Sequence, residues 1–202
     1  FINSGTFIGG FFAMDGSGNA RLTNSGTLEL ASLDMAADGG ARLVNSGTLE
    51  IIPNISFQEI EGSSDRDVII NTGELFAPLD LNDGSDTVQN RGLMAGSVNT
   101  DAGADTVLNL GGTIIGNVFT GSDGDTLRNS GEIAGNANMG GADDFVFNAG
   151  LISGFVDLGE NSDTYRAIGD GAVTGSIFGG GGNDTIVGGA LGDVIDGGSN
   201  DD

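Results

Sequence analysis

Apolar residues in this chain fall at alternate positions in short bursts, and the bursts recur with a period near 20. In the stretch from Asn90, three such bursts hold Leu93-Met94-Ala95, Ser97-Val98-Asn99 and Thr106-Val107-Leu108, separated by Gly, Asn or Asp. Alternation turns Met94, Val98 and Val107 to one face, the signature of short half-buried strands. No segment sustains a helical period. Three strands per period, each with one or two inward residues, cannot enclose a core alone. Periods stacked about 4.8 Å apart bury those residues as continuous columns.

The period is pinned by polar residues. Asn recurs at Asn3, Asn24, Asn45, Asn71, Asn90, Asn109, Asn129 and Asn148, with Gly two residues after each and, in most copies, an apolar residue two further on. Around Thr113 the register slips by one and Ile114 takes the apolar role. Stacked Asn side chains can hydrogen-bond to the copies above and below, which accounts for the column structurally.

The pattern predicts an all-β fold: a parallel β-helix (β-solenoid) with coils of about 19–21 residues, right-handed by the chirality of parallel crossovers. Repeats fill residues 1–178. One spacing of 26 between Asn45 and Asn71 departs from the period. The stretch from Pro53 to Asp67, with Phe57 and Ile60, is expected as a surface loop. Phe7, Phe11 and Phe12 are expected to pack in the core. The chain opens inside one repeat and stops inside another, which reads as a fragment.

Charge narrows the partners. The chain carries 29 acidic residues against 6 basic ones, all Arg, for a net charge of −23. Phosphate backbones and anionic lipid are repelled by such a surface, so nucleic acid and membrane insertion are excluded as expectations. No apolar run approaches the roughly 18 residues of a spanning helix. Cys and His are absent, so there is no disulfide framework. Arg21 and Arg42 form a small ladder that reads as solvated, and the six Arg do not converge on one coil.

The acids are mostly Asp, and they are in phase. Four residues before the Asn column runs Ala20, Ala41, Asp67, Asp86, Asp105, Asp125 and Asp144, continued by Asp163 and Asp184. Carboxylates one coil apart repel unless protonated or bridged by a cation. Solvated surface turns are the alternative upstream of Asp163. At residues 179–202 the pattern condenses into nonapeptides: Gly179–Val187 fits G-G-x-G-x-D-x-U-x, Gly188–Asp196 follows, and a third unit ends at Asp202. Glycines permit tight turns with exposed carbonyls, and a hard cation takes six to eight oxygens.

These nonapeptides resemble the haemolysin-type (RTX) calcium-binding repeat family, over these 24 residues. Leu191 and Asn200 stand where the family has Gly. The upstream repeats are similar, more broadly, to bacterial autotransporter-passenger repeats. The RTX resemblance implies a β-roll at 179–202, Ca2+ as the cofactor, export by a type I system and an extracellular location, secreted or on the cell surface. The metal ligands expected are Gly179, Gly180, Gly182, Asp184, Gly197, Gly198 and Asp202, with Asp193 and Asp163 as further members. Asp184 and Asp202 are expected to lie one coil apart.

The functional expectation is a non-catalytic, calcium-binding structural solenoid whose folding is coupled to the cation. An adhesin or surface-layer segment is the alternative, as is the non-catalytic part of a polysaccharide-acting β-helix enzyme. A glycan or cell-surface partner stays open, as does end-to-end or lateral self-association. For glycan contact the sequence offers only Tyr165 and Phe57 as exposed aromatics, and Tyr165 sits at an inward phase.

Overall fold

A computed structural model describes residues 1–14, 16, 20–52, 59–190, 192–200 and 202. Its strands form three all-parallel sheets, two of ten strands and one of nine, and successive strands of each sheet come from successive repeats. The first sheet runs from Ile2–Asn3 to Thr185–Val187, the second from Thr6–Ile8 to Ala172–Val173, and the third from Phe11–Ala13 to Val194–Asp196. The chain is thus a parallel β-solenoid of about nine coils, as the periodicity predicts. Parallel pairing is possible here because each strand reaches its neighbour only after a full circuit of the other two sheets.

Alternation decides which side chains enter the core. Each sheet contributes one apolar column, for example Leu43, Ile69, Val88, Val107, Leu127 and Val146 from the first sheet, all buried. Met94 and Ile114 pair across the register slip, so the extra residue is absorbed before the strand. Tyr165 continues the first column, fully buried, at the inward phase the sequence gives it.

The Asn column is a ladder. Nδ2 of Asn24, Asn45, Asn71, Asn90, Asn109 and Asn129 each donates to Oδ1 of the next Asn at 2.8–3.0 Å. The same amide also caps turn carbonyls, as Asn45 does with Gly47 and Glu74. Each rung is buried and fully used. The ladder ends where Ala167 pairs with Asn148, and there the Tyr165 hydroxyl accepts from Asn148 Nδ2 at 3.4 Å.

Two local expectations change. Part of the stretch expected as a loop is strand: Ile60–Glu61 lies in the third sheet with Ile60 buried, so an inward apolar residue claimed its place in the column. Phe57 lies outside the described residues. The early phenylalanines do not fill the core: Phe11 is 80% exposed and Phe7 is 37% exposed, while Phe12 packs against the core edge. They stand on outermost strands covered from one side, where Phe1 gathers Phe7 and Phe12 at ring distances of 5.6 and 5.0 Å.

The last strands mark a change of cross-section. The second sheet stops at Ala172–Val173, whereas Thr185–Val187 and Val194–Asp196 continue the first and third sheets. Nonapeptide spacing supplies two short strands per 18 residues, too few for a third side.

Candidate metal and proton site along the aspartate column

The Asp column lies at the corner entering the first sheet, and it points inward. Asp67, Asp86, Asp105, Asp125, Asp144, Asp163 and Asp184 are all buried, the upstream ones as thoroughly as the core beside them. The reading of solvated turn residues upstream of Asp163 is therefore corrected. In Asp105-x-Val107-x-Asn109 all three named residues share one parity, so the strand that buries Val107 and Asn109 buries Asp105 as well.

Successive carboxylates are linked through the backbone. The N–H of Asp67 donates to Oδ1 of Asp86 at 2.7 Å, and the same bond joins Asp86 to Asp105, Asp105 to Asp125, Asp125 to Asp144, Asp144 to Asp163 and Asp163 to Asp184, at 2.7–2.8 Å. Asp184 reaches Asp202 in this way at 3.1 Å. The other oxygen is left over. Oδ2 of Asp86, Asp105, Asp125, Asp144, Asp163 and Asp184 is buried with no hydrogen-bond partner. An unpaired buried carboxylate oxygen is costly and calls for a proton or a cation.

The turn backbone explains why these six are alike. Four and two residues before each Asp stand residues with positive φ: Asn82 and Gly84, Asp101 and Gly103, Gly121 and Asp123, Gly140 and Ala142, Gly159 and Asn161, Gly180 and Gly182. Between them, Ala102 with Ser122, and Gly141, Glu160, Gly181 and Ser199 in series, make isolated parallel bridges. Asp67 has a different turn, and there the N–H and Oγ of Ser63 satisfy its carboxylate. The upstream turns and the terminal nonapeptide turns thus share one backbone geometry.

They differ in what walls the carboxylate. A Cβ on Gly179 would come within 2.6 Å of Asp184 Oδ2, and one on Gly197 within 2.6 Å of Asp202 Oδ2. At the corresponding position, five residues before the Asp, the upstream coils carry Leu81, Thr100, Thr120, Met139 and Leu158, all buried. Burial accordingly pushes the Asp86 and Asp144 carboxyls up to about 8 and those of Asp125 and Asp163 to about 7; Asp67 and Asp105 are raised for the same reason. Neighbouring carboxylates add to the rise at Asp86, Asp125, Asp144 and Asp163.

The sequence-predicted ligands separate into two groups. Gly179, Gly180, Gly182, Asp184, Gly197, Gly198 and Asp202 come together at one corner, and Asp163 stacks directly against Asp184. Asp193 does not join them: it precedes the strand Val194–Asp196 of the third sheet, and its Oδ2 accepts from the Gly189 N–H at 2.6 Å. No group of three or more His, Cys, Asp or Glu side chains gathers around one point among the described residues. A cation at this corner would need backbone carbonyls to complete its shell, and glycine-walled turns can present them.

Fold and corner together define a class: parallel β-solenoids with acidic turns stacked along one edge. Among solved structures, the chain is similar to a hyperactive, Ca2+-dependent, β-helical antifreeze protein from an Antarctic bacterium, with a TM-score of 0.78 and 21% identity over 95% of this chain. The chain spans 62% of that neighbour's length. At this identity the likeness establishes the fold. No protein-family model and no curated protein sequence matches the chain.

Proposed function

We propose that the chain is a calcium-binding structural β-solenoid of a secreted or cell-surface protein, in which Ca2+ bridges the Gly/Asp turns at 179–202. The observation that carries this reading is the unpartnered Oδ2 of Asp184, which together with the Gly197 carbonyl lies so close to Gly179 that only glycine fits there. The donor set suits a hard cation: carboxylate oxygens of Asp184 and Asp202, with carbonyls of Gly179, Gly180, Gly182, Gly197 and Gly198. Calcium dependence of the structural neighbour is consistent with it. The RTX likeness rests on the nonapeptides themselves, and export and extracellular location belong to that likeness.

Upstream, the same unpaired oxygens face Leu, Thr or Met in place of Gly, which leaves less room for a hydrated ion. There the proton is the better counter-charge, and Asp86 to Asp163 serve as a neutral acid column that locks the corner. Calcium titration by calorimetry, with circular dichroism of the same samples, tests the reading. Saturable binding lost on Asp184→Ala supports it; a β-signal indifferent to calcium and to chelator, with no heat of binding, rejects it.

Ice binding finds less support in the residues. An outward threonine column, Thr87, Thr106, Thr126, Thr164 and Thr185, is interrupted by Phe145 and flanked by Gln89, Leu108, Arg128, Phe147 and Arg166. Bulky and charged side chains thus break the threonine row and its neighbouring column.

A further inference from the structure

The arginines do not meet on one coil, but they meet on one face. Arg21, Arg42, Arg128 and Arg166 all point outward from strands of the first sheet, and none of that sheet's ten strands contains Asp or Glu. Arg66 and Arg91 lie at its two edges, where Arg66 donates to Thr87 Oγ1 at 3.4 Å. The strands of the second and third sheets hold Glu29, Glu50, Glu74, Glu132, Asp34, Glu61, Asp80, Asp157 and Asp196, and no Arg. In a chain of net charge −23, this is a sorting of charge by face.

Beside the arginines the face carries a row of threonines, Thr87, Thr106, Thr126, Thr164 and Thr185, and a pair of phenylalanines. The Phe145 and Phe147 rings lie 4.4 Å apart, tilted by 49°, and the Arg128 guanidinium lies 4.7 Å from the Phe147 ring centre. Val44, Ile70, Leu108 and Val187 continue the same outward column. Arg and aromatic residues are enriched, and Asp and Glu depleted, at the centre of protein–protein interfaces. None of the four face arginines forms an ion pair with a carboxylate among the described residues.

The chain itself carries a matching surface. On the third sheet, Asp34, Glu61, Asp80, Asp157 and Asp196 stand in one outward column. Counting strands along that column, they follow one another at intervals of one, one, four and two coils, so the last four members run at one, four and two. Arg21, Arg42, Arg128 and Arg166 follow one another at one, four and two coils as well. The first Arg pair stands in the column next to the second, two residues away along the strand, within reach of a long side chain. A second copy laid parallel and displaced by one coil puts every one of these arginines opposite a carboxylate.

We propose that the basic face of the first sheet docks the acidic face of the third sheet on another copy of this chain. The contact is heterologous, so it leaves one basic and one acidic face free and propagates into lateral arrays. Ten strands at about 4.8 Å by roughly four residues at about 3.3 Å give on the order of 1,000 Å² buried over both copies, near the lower bound for a specific interface. Charge pairing then decides register and partner choice rather than bulk affinity.

The test is sedimentation velocity of the calcium-loaded chain over a wide concentration range. Weight-average mass is expected to rise with concentration. The double variant Arg128→Glu/Arg166→Glu is expected to weaken association by about tenfold or more. Adding Asp157→Arg/Asp196→Arg to the same chain restores the pairing with its charges exchanged, and association should return. All four positions face outward, and circular dichroism checks that the variants keep the β-signal. A chain that stays monomeric throughout, or a quadruple variant no better than the double, overturns the proposal. A monomer whose basic face instead captures an acidic polysaccharide such as alginate also overturns it and assigns the face to a polyanion.

Discussion

The backbone N–H of Asp163 donates to Oδ1 of Asp184 across one coil at 2.8 Å, while Oδ2 of the same Asp184 carboxylate has no partner. One oxygen of the side chain ties two coils together, and the other is available for chemistry. Replacing Asp184 by Ala removes both functions. Calcium affinity is expected to fall by about tenfold or more, and stability in chelator by about 1–3 kcal/mol, because the Asp163 N–H is left buried and unsatisfied. Asp34→Ala, on the outward face of the third sheet and outside this column, should change neither. Calorimetric titration and urea unfolding of both variants decide the matter.

The raised carboxyls fix the sign of the pH dependence without calcium. Each group binds its proton more tightly folded than unfolded, so its contribution to stability is complete below the unfolded value near 4. It is lost as pH rises through about 7 for Asp125 and Asp163 and about 8 for Asp86 and Asp144. The slope per carboxyl is at most about 1.4 kcal/mol per pH unit. Chelated protein is therefore expected to melt at higher temperature at pH 5 than at pH 8.5. The reverse order would show that the column is ionised when folded.

Asp125→Asn separates charge from hydrogen bonding. Its Oδ1 still accepts from the Asp105 N–H, while the charge that burial opposes is gone. The variant should match the parent at pH 5 and exceed it in melting temperature at pH 8.5, which thermal melts at both values can read.

Asn109 occupies a full rung. Its Nδ2 donates to Gly112 and Glu132 carbonyls and to Asn129 Oδ1, and its own Oδ1 accepts from Asn90. Asn109→Ala is expected to cost about 2–4 kcal/mol, several buried groups being orphaned at once. Asn138→Ala, outward on the third sheet, should stay within about 0.5 kcal/mol. Denaturant midpoints compare the two.

Ala142 has φ of 78°, where the equivalent turn positions include Gly84, Gly103 and Gly182. Left-handed geometry costs a residue with a Cβ roughly 1–2 kcal/mol, part of which Gly repays as unfolded-state entropy. Ala142→Gly should gain up to about 1 kcal/mol. Gly103→Ala should lose several times that, because its Cβ would overlap the Gly84 carbonyl oxygen. Thermal melts of the pair test the assignment of the turn.

Much of the scaffold was legible because a solenoid writes its register into every coil. The Asn column, the inward Met94, Val98 and Val107 and the slip at Thr113 follow from counting alone. The burial of Asp86 to Asp144 was legible too, in the shared parity of Asp105, Val107 and Asn109. The habit of placing Asp in wet turns outweighed it. Ile60 was hidden by the irregular spacing around it. The face that gathers Arg21, Arg42, Arg128 and Arg166 could not be read in advance. It depends on which residues of distant repeats come into column on one sheet, whereas a count of charges along the chain shows only a scattered minority.

The bonds between coils all run along the long axis of the solenoid, one coil to the next. A pull on the two ends therefore loads them one row at a time, like a zip, and not all together. Each coil released would add about 20 residues of extended chain, some 60–70 Å, while the rest stays wound. Such a molecule gives way under tension in small, repeated steps and can lengthen many-fold before it is fully unwound.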